Sequence, residues 1–533
     1  MTLRLLFLWL LCFQLQVFSQ EDAWVYLTDK ENVAQALANP ISILTQDALD
    51  RKLAHGVPID ARDVPVNETY ISQLKQQPGI TVLAKSKWFN AVHVRGAETD
   101  INNLSALSYV DHIIFANKSL NARVEIPKNK FEFEAARTSF DYGQAANQIT
   151  MIQGDDLHQS NYTGNGIVIA VIDAGFPNVN TMGGFLRLRD NNGILGGYDF
   201  FDRNPDVYAN TSSSHGTLVL STMAGYVEGS FVGTAPDASY YLFRTENAPN
   251  ENPVEESLWV EAAERADSLG VDIINSSLGY KTYDNANYNH TDADLDGLTT
   301  YISKGANIAF EKGLLVVNSA GNAGANGLNA PADATGVFTI GAVDANGDYA
   351  SFSSQGSIFQ PTQKPDVVTQ GQVSAVIWSN NNIGTANGTS FSAPIMAGAL
   401  ACLWEALPDL TNAEIMQLVR ESASQYQTPD YFLGYGIPNL ATALNQGLSI
   451  PEAEDLQQNI QIYPNPVLHD LYLKIPSTET NVQVTVYNIL GKITMETKVF
   501  QSTTINMSTL ANGVYLLKMN TQKETIIKKI IKK

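Results

Sequence analysis

Asn387-Gly388-Thr389-Ser390-Phe391-Ser392-Ala393-Pro394-Ile395-Met396-Ala397-Gly398 opens as a glycine-bearing turn and continues as a helix of small residues. A serine placed there stands at a helix N-terminus, where backbone N–H groups are unpaired and negative charge is favoured. Gly388, Ala393, Ala397 and Gly398 carry almost no side-chain bulk, so this helix can lie buried against its neighbours. Ser390 is then either the cap of a core helix or a nucleophile. The second reading demands a base, an acid that orients it and a donor for the oxyanion, and the rest of the chain decides between the two.

The 533 residues are 44% apolar, enough for several domains and a large buried core. Met1 to Ser19 has one positive charge, Arg4, then the apolar run Phe7 to Leu11, and reads as a secretory signal peptide. Gln14 and Gln16 cut that run too short to span a membrane, and no later stretch predicts a transmembrane segment. Leu11 is too bulky before Cys12 for a lipoprotein signal. Removing the signal leaves Cys402 alone, so no intrachain disulfide forms in the exported protein. A formal charge of −21 argues against a nucleic-acid partner, because a phosphate backbone is repelled.

Beyond the signal, residues 20–116 alternate as β-α-β-β-α-β, from Trp24–Leu27 to His112–Phe115, a small split βαβ domain. Residues 117–146 show no sustained period and predict an exposed connector. Residues 147–447 alternate apolar runs with amphipathic helices. Ile167 to Ile172 is continuous enough for a central parallel strand, with further strands at Ser239–Phe243, Val271–Asn275, Leu314–Val317, Val337–Val343 and Val373–Ile377. With helices at Val254–Leu269 and Thr300–Glu311 the pattern predicts an α/β domain with a mainly parallel sheet. Residues 448–460 are an acidic, Gln-rich linker, and 461–533 predict a small β-sandwich with a basic end.

Ligands in open α/β sheets bind beyond the carboxyl ends of the strands. Asp173 follows the Ile167–Ile172 strand, His215 opens an apolar helix in Ser214-His215-Gly216-Thr217, and Asn322 follows the Leu314–Val317 strand in Ser319-Ala320-Gly321-Asn322. Each has an ordinary structural reading alone: a turn Asp, a capping His, a turn Asn between glycines. Jointly they supply the acid, base and oxyanion donor that Ser390 needs, all at strand ends or helix starts of one sheet.

Val171-Ile172-Asp173-Ala174-Gly175, His215-Gly216-Thr217, Ser319-Ala320-Gly321-Asn322 and Gly388-Thr389-Ser390-Phe391-Ser392-Ala393-Pro394 resemble the four signature motifs of the subtilisin-like serine proteases, in that family's order. The resemblance spans roughly Tyr142 to Gln446. Leu218 departs from it, standing where many members have a second His. The resemblance implies that Ser390 attacks the scissile carbonyl, His215 carries the proton, Asp173 orients the imidazole, and Asn322 with the Ser390 amide holds the oxyanion. It further implies that Ser277-Leu278-Gly279 pairs with the substrate backbone and that Ser319-Ala320-Gly321 lines the P1 pocket. Neither stretch carries a charge that would dictate the P1 residue.

The flanks are similar to known parts as well. Ala23 to Ala116 resembles the inhibitory propeptides of these proteases. Tyr463-Pro464-Asn465-Pro466, Val486-Tyr487-Asn488, Gly491-Lys492, Gly513-Val514-Tyr515 and the Lys-rich end resemble the C-terminal sorting domain read by the type IX secretion machinery. This implies export across the outer membrane of a Gram-negative bacterium, with protein or peptide substrates and the chain's own propeptide as inhibitor. No cofactor is required, and the family allows structural calcium. Asp292-Ala293-Asp294-Leu295-Asp296-Gly297 imitates a calcium loop, but Ser303 stands where the bidentate Glu belongs, so an acidic turn is expected. The rival class is a non-catalytic surface-binding protein on the same fold. An α/β-hydrolase esterase is excluded, because Ser392 occupies the last position of the Gly-x-Ser-x-Gly it requires.

Overall fold

The computed structural model describes residues 20–121, 140–449, 461–463, 467–474, 482–488, 493–499, 503–511, 513–520 and 525–532. The predicted signal peptide, most of the connector, the linker from 450 to 460 and the motif residues 464–466 therefore lie outside the described residues. The chain divides into two compact units, Met1–Gly447 and Leu448–Lys533.

Within the first unit, the N-terminal domain contains β1 (Gln20–Leu27), α1 (Gln46–Ala54), α2 (Glu68–Leu74), β2 (Thr81–Ser86), β3 (Ala91–Ala97), α3 (Glu98–Asn103) and β4 (Val110–Phe115). Its antiparallel sheet has the order β2-β3-β1-β4, the split βαβ arrangement expected. One face packs on its own helices through Val25, Val92, Val94, Ile71 and Ile101.

The larger domain is built on β5 (Val168–Asp173), β6 (Ile194–Asp199), α4 (His215–Ala224), β7 (Ser239–Arg244), α5 (Val254–Leu269), β8 (Ile273–Ser276), α6 (Tyr301–Glu311), β9 (Leu315–Ser319), β10 (Val337–Val343), β11 (Val367–Gln370), β12 (Ser374–Ile377), β13 (Ile383–Ala386), α7 (Thr389–Ala406), α8 (Asn412–Glu421) and α9 (Leu440–Ser449). Seven strands form one parallel sheet in the order β11-β10-β9-β8-β5-β7-β6. Ile169 and Val171 face one core with α4 and α7, while Ala170 and Ile172 face another with α5 and α6, so the unbroken apolar run of β5 reflects burial on both faces. Helix α7 is buried from Thr389 through Trp404, which explains why it reads as apolar all round rather than striped.

Two readings are corrected by the fold, and one strand is added. Val373–Ile377 was expected in the main sheet; Ser374–Ile377 instead forms an antiparallel hairpin with β13 that leads straight into the Ser390 turn. The sheet's edge strand β6 was not predicted, because Gly196 and Gly197 interrupt its apolar pattern. Exposure of the connector through Ala146 does not hold at Tyr142 and Ala145, which are buried in the core.

The N-terminal domain docks on α5 and α6. Ser86 Oγ and the Trp88 N–H donate to Glu264 Oε1 at 2.5 and 2.9 Å, and the Lys87 N–H donates to its Oε2 at 2.9 Å. Arg51 and Lys52 share Asp267 at 2.6 and 2.7 Å, and Lys312 reaches back to Asp63 at 2.7 Å. Trp24 stacks on Tyr301 at 4.5 Å and donates from Nε1 to Ser257 Oγ at 2.8 Å. Arg51, Lys52, Lys312, Asp63 and Asp267 are buried in ion pairs, while Glu264 is held by three neutral donors, so each buried charged group has a partner, as burial requires.

The second unit contains β14 (Gln461–Tyr463), β15 (Asp470–Lys474), β16 (Val482–Asn488), β17 (Ile493–Val499), β18 (Thr503–Asn506), β19 (Gly513–Asn520) and β20 (Thr525–Lys532). Sheets β14-β15-β18 and β17-β16-β19-β20 share one core of Leu471, Leu473, Ile505, Val484, Val486 and Leu517, a small sandwich. No helix among the described residues is long and apolar enough to cross a membrane.

Candidate active site

Asp173 is the last residue of β5, fully buried, and His215 is the first residue of α4. His215 Nδ1 lies 2.8 Å from Asp173 Oδ1, which also accepts the Ala174 N–H at 2.7 Å. The imidazole remains 32% exposed on its open side. Burial presses His215 toward its neutral form, but the charge and hydrogen bond of Asp173 outweigh it and hold the pKa above that of an ordinary histidine. Gly216 is required beside this pair, since a Cβ there would meet Gly175 O at 2.6 Å and Asp173 Cβ at 3.0 Å.

Ser390 is the second residue of α7, entered through Gly388 at φ 144°. Its hydroxyl has no partner among the described residues, and its N–H lies in the first helical turn, where no carbonyl four residues back completes it. Pro394 lacks an N–H, so the Ser390 carbonyl loses its usual helical donor. Ser277 Oγ supplies the replacement at 3.0 Å and thereby ties the end of β8 to the Ser390 turn.

Asn322 is held from the same turn. Its Oδ1 accepts the Thr389 N–H at 2.9 Å and Thr389 Oγ1 at 3.1 Å. Two donors on one atom assign it as oxygen, which leaves Nδ2 as a donor with no partner among the described residues. Thr389 Oγ1 also accepts the Gly321 N–H at 3.1 Å, and Asn318 Nδ2 donates to Leu278 O at 3.0 Å. The stretches Ser277-Leu278-Gly279 and Ser319-Ala320-Gly321 are thus braced side by side at the carboxyl ends of β8 and β9. Sequence reasoning singled out all of these but gave no role to Thr389 or Asn318, whose contacts depend on how distant loops meet.

Residues 164–436, just over half the chain, match the model of the subtilase family. The chain belongs to the subtilase family. Residues 22–132 of this subtilase match the peptidase S8 propeptide domain of Bacteroidota, and 461–533 match the secretion system C-terminal sorting domain. Subtilisin E of Bacillus subtilis (strain 168) is 30% identical over 304 residues, covering 55% of this chain and 70% of that protein. Subtilisin of Bacillus pumilus is also 30% identical over 304 residues, covering 55% of this chain and 97% of its own length. The crystal structure of MycP1 from Mycobacterium smegmatis aligns at 21% identity and a TM-score of 0.45, over 61% of this chain and 92% of that one.

The acidic loop at 292–297 forms no metal cluster. Asp292 pairs with Lys281 at 2.8 Å, Asp294 pairs with Lys118 at 3.0 Å, and Asp296 accepts the N–H groups of Leu298 and Thr299, so the three carboxylates are spent separately. No group of three or more His, Cys, Asp or Glu side chains that could hold a metal occurs among the described residues.

Proposed function

We propose that this subtilase is a secreted serine endopeptidase that hydrolyses peptide bonds through an acyl-enzyme intermediate. The observation carrying the reading is the 2.8 Å contact of His215 Nδ1 with Asp173 Oδ1 at the carboxyl end of the sheet, where Ser277 also ties in the Ser390 turn. Nδ1–H donates to Asp173, so Nε2 is the atom that accepts a proton. As Ser390 Oγ bonds to the scissile carbonyl carbon, its proton passes to His215 Nε2, and Asp173 stabilises the imidazolium without taking the proton. The carbonyl oxygen becomes an oxyanion held by Asn322 Nδ2 and the Ser390 N–H. His215 then returns the proton to the departing amine, and water repeats the sequence on the acyl-Ser390 ester. Ser277-Leu278-Gly279 binds the substrate backbone as an added strand, and Ser319-Ala320-Gly321 receives the P1 side chain. No step needs a cofactor, and structural calcium would serve stability rather than this chemistry.

The other segments are assigned as proposals around this core: residues 1–19 as signal peptide, 20–116 as inhibitory propeptide, 117–146 as activation segment, 147–447 as peptidase, 448–460 as linker and 461–533 as the sorting domain handled by the type IX machinery. The product is released from, or attached to, the surface of a Gram-negative cell. Incubating the processed protein with a quenched peptide library, and locating cuts by mass spectrometry, tests the activity. Internal cuts by wild type that are absent with Ser390→Ala support the reading. Equal products from both proteins, or none from either, refute it.

A further inference from the structure

Beyond Ser276 the chain runs on from β8 as Ser277, Leu278, Gly279 and Tyr280, and neighbouring strand ends flank it on both sides. On one side β9 delivers Ser319, Ala320 and Gly321. On the other, β5 delivers Asp173, and β7 beyond it delivers Thr245 and Glu246 past Arg244. An extended substrate laid along 277–279 turns successive side chains to opposite sides. With P1 toward 319–321, as proposed above, P2 faces the side of Asp173, His215 and Glu246.

Glu246 is built into that wall and is 8% exposed. Its Oε1 accepts from Tyr280 OH at 2.6 Å and from Thr245 Oγ1 at 2.8 Å, while the Thr245 N–H donates to Asp173 O at 3.2 Å. It therefore links the residue that follows the substrate-pairing stretch to the strand end that carries the catalytic acid. Its second oxygen, Oε2, has no hydrogen-bond partner among the described residues and is not completely enclosed. Arg244, whose charge reaches Glu246, is already committed to Asp199 and Asp202, each at 2.6 Å. Glu251, pushed up to about 7, adds negative charge nearby at higher pH, whereas burial pushes Glu255 up to about 9 and keeps it mostly neutral; none of the three glutamates is in an ion pair with Lys or Arg among the described residues. A nearly buried carboxylate without a counter-ion gains most from a cation that arrives with the ligand.

We infer that Glu246 is a specificity-determining residue that selects lysine or arginine as the P2 side chain, its free Oε2 accepting a hydrogen bond from the incoming cation. The inference rests on the peptidase reading and deepens it.

Burial above all, with the Asp173 charge added, pushes Glu246 up to about 7 against its bonds to Tyr280 and Thr245. Selection for a cation is therefore strongest above that pH. The other groups bearing on Glu246 are His215, Arg244, Tyr280, Glu251 and Glu255. Tyr280 stays protonated, whereas Glu251, pushed up to about 7, titrates alongside Glu246.

The test uses two fluorogenic peptides that differ only at P2, Lys against Leu, with P1 taken from the library cuts. The ratio of their kcat/KM values is taken within each protein, so losses common to both peptides cancel, as does the titration of His215. In processed wild type at about pH 8 the Lys peptide should be favoured about tenfold or more, the scale of one charge-assisted hydrogen bond. The preference should shrink as the pH falls through about 7. It should approach one in Glu246→Gln and survive in Glu251→Gln. If Glu246→Gln fails to fold, the pH dependence of the wild-type ratio remains the test. A wild-type ratio near one, a ratio that does not move with pH, or a ratio kept in Glu246→Gln overturns the inference while leaving the peptidase reading intact. Cleavage of neither peptide removes both.

Discussion

Asn322 Oδ1 accepts two hydrogen bonds from one residue, the Thr389 N–H at 2.9 Å and Thr389 Oγ1 at 3.1 Å. Because Thr389 directly precedes Ser390, the proposed oxyanion donor and the proposed nucleophile are set by the same turn. Asn322→Ala should lower kcat by about two to three orders of magnitude with little change in KM, the scale known for this donor in subtilisin. Thr389→Ala should leave Asn322 less well aimed and lower kcat by about tenfold, with Thr389→Ser restoring most of it. Steady-state kinetics on the three variants checks this, and an unchanged kcat in Asn322→Ala would move the oxyanion role to another donor.

The Asp173 contact sets the pH profile. His215 must be neutral to accept a proton, and Asp173 raises its pKa above the ordinary 6.5, so kcat/KM should rise with pH through a midpoint above that value. The same shift carries a stability term of opposite sense: the stabilisation is full below the unfolded-state pKa and is lost as pH rises through the raised one. Asp173→Asn should lower kcat by about four orders of magnitude, because an amide donor favours the wrong imidazole tautomer. A pH–rate profile with a midpoint at or below 6.5 would contradict the assignment.

Docking of the N-terminal domain on Glu264 makes its release proton-linked. Burial pushes this carboxyl up to about 7, although the Lys87 charge, Ser86 Oγ and two backbone N–H groups oppose the shift. Once the domain leaves, water reaches Glu264 and its pKa returns toward the ordinary range, so binding takes up a proton. From Glu264 alone, the cleaved propeptide should be held more tightly at about pH 6 than at about pH 8. Co-elution on gel filtration at the two pH values should show this, and Glu264→Gln should remove the difference.

On this proposal, cutting of the connector should require the triad, whereas removal of the sorting domain should not. Ser390→Ala should retain residues 20–116, and wild type should show a new N-terminus within 117–146. A separate cut within about residues 445–462, made by a host peptidase, should persist in Ser390→Ala. N-terminal sequencing and intact mass on both proteins read the two cuts together; normal propeptide release by the variant would rule out obligatory self-processing.

The parallel core was legible because β5 is buried on both faces and its short unbroken apolar run is rich in β-branched residues, which favours a strand over a buried helix. The hairpin at 374–386 was not, since a short run such as Ala375-Val376-Ile377 looks the same in a central strand and in a hairpin packed on α4. Asp173, His215, Asn322 and Ser390 stood out through the turns and helix starts around them. Thr389, Asn318 and Glu246 did not, because what matters in each is a contact with a residue far along the chain. Glu264 reads as one more polar position of α5 until the N-terminal domain covers it.

Covalent capture of Ser390 tests the central claim most directly. Processed wild type is treated with a fluorophosphonate, which phosphonylates a serine only when a neighbouring base activates it, and the modified peptide is located by mass spectrometry. The expected result is one adduct per chain, on Ser390, abolished in Ser390→Ala and strongly slowed in His215→Ala. An adduct on another serine, or none on folded and processed wild type, would contradict it.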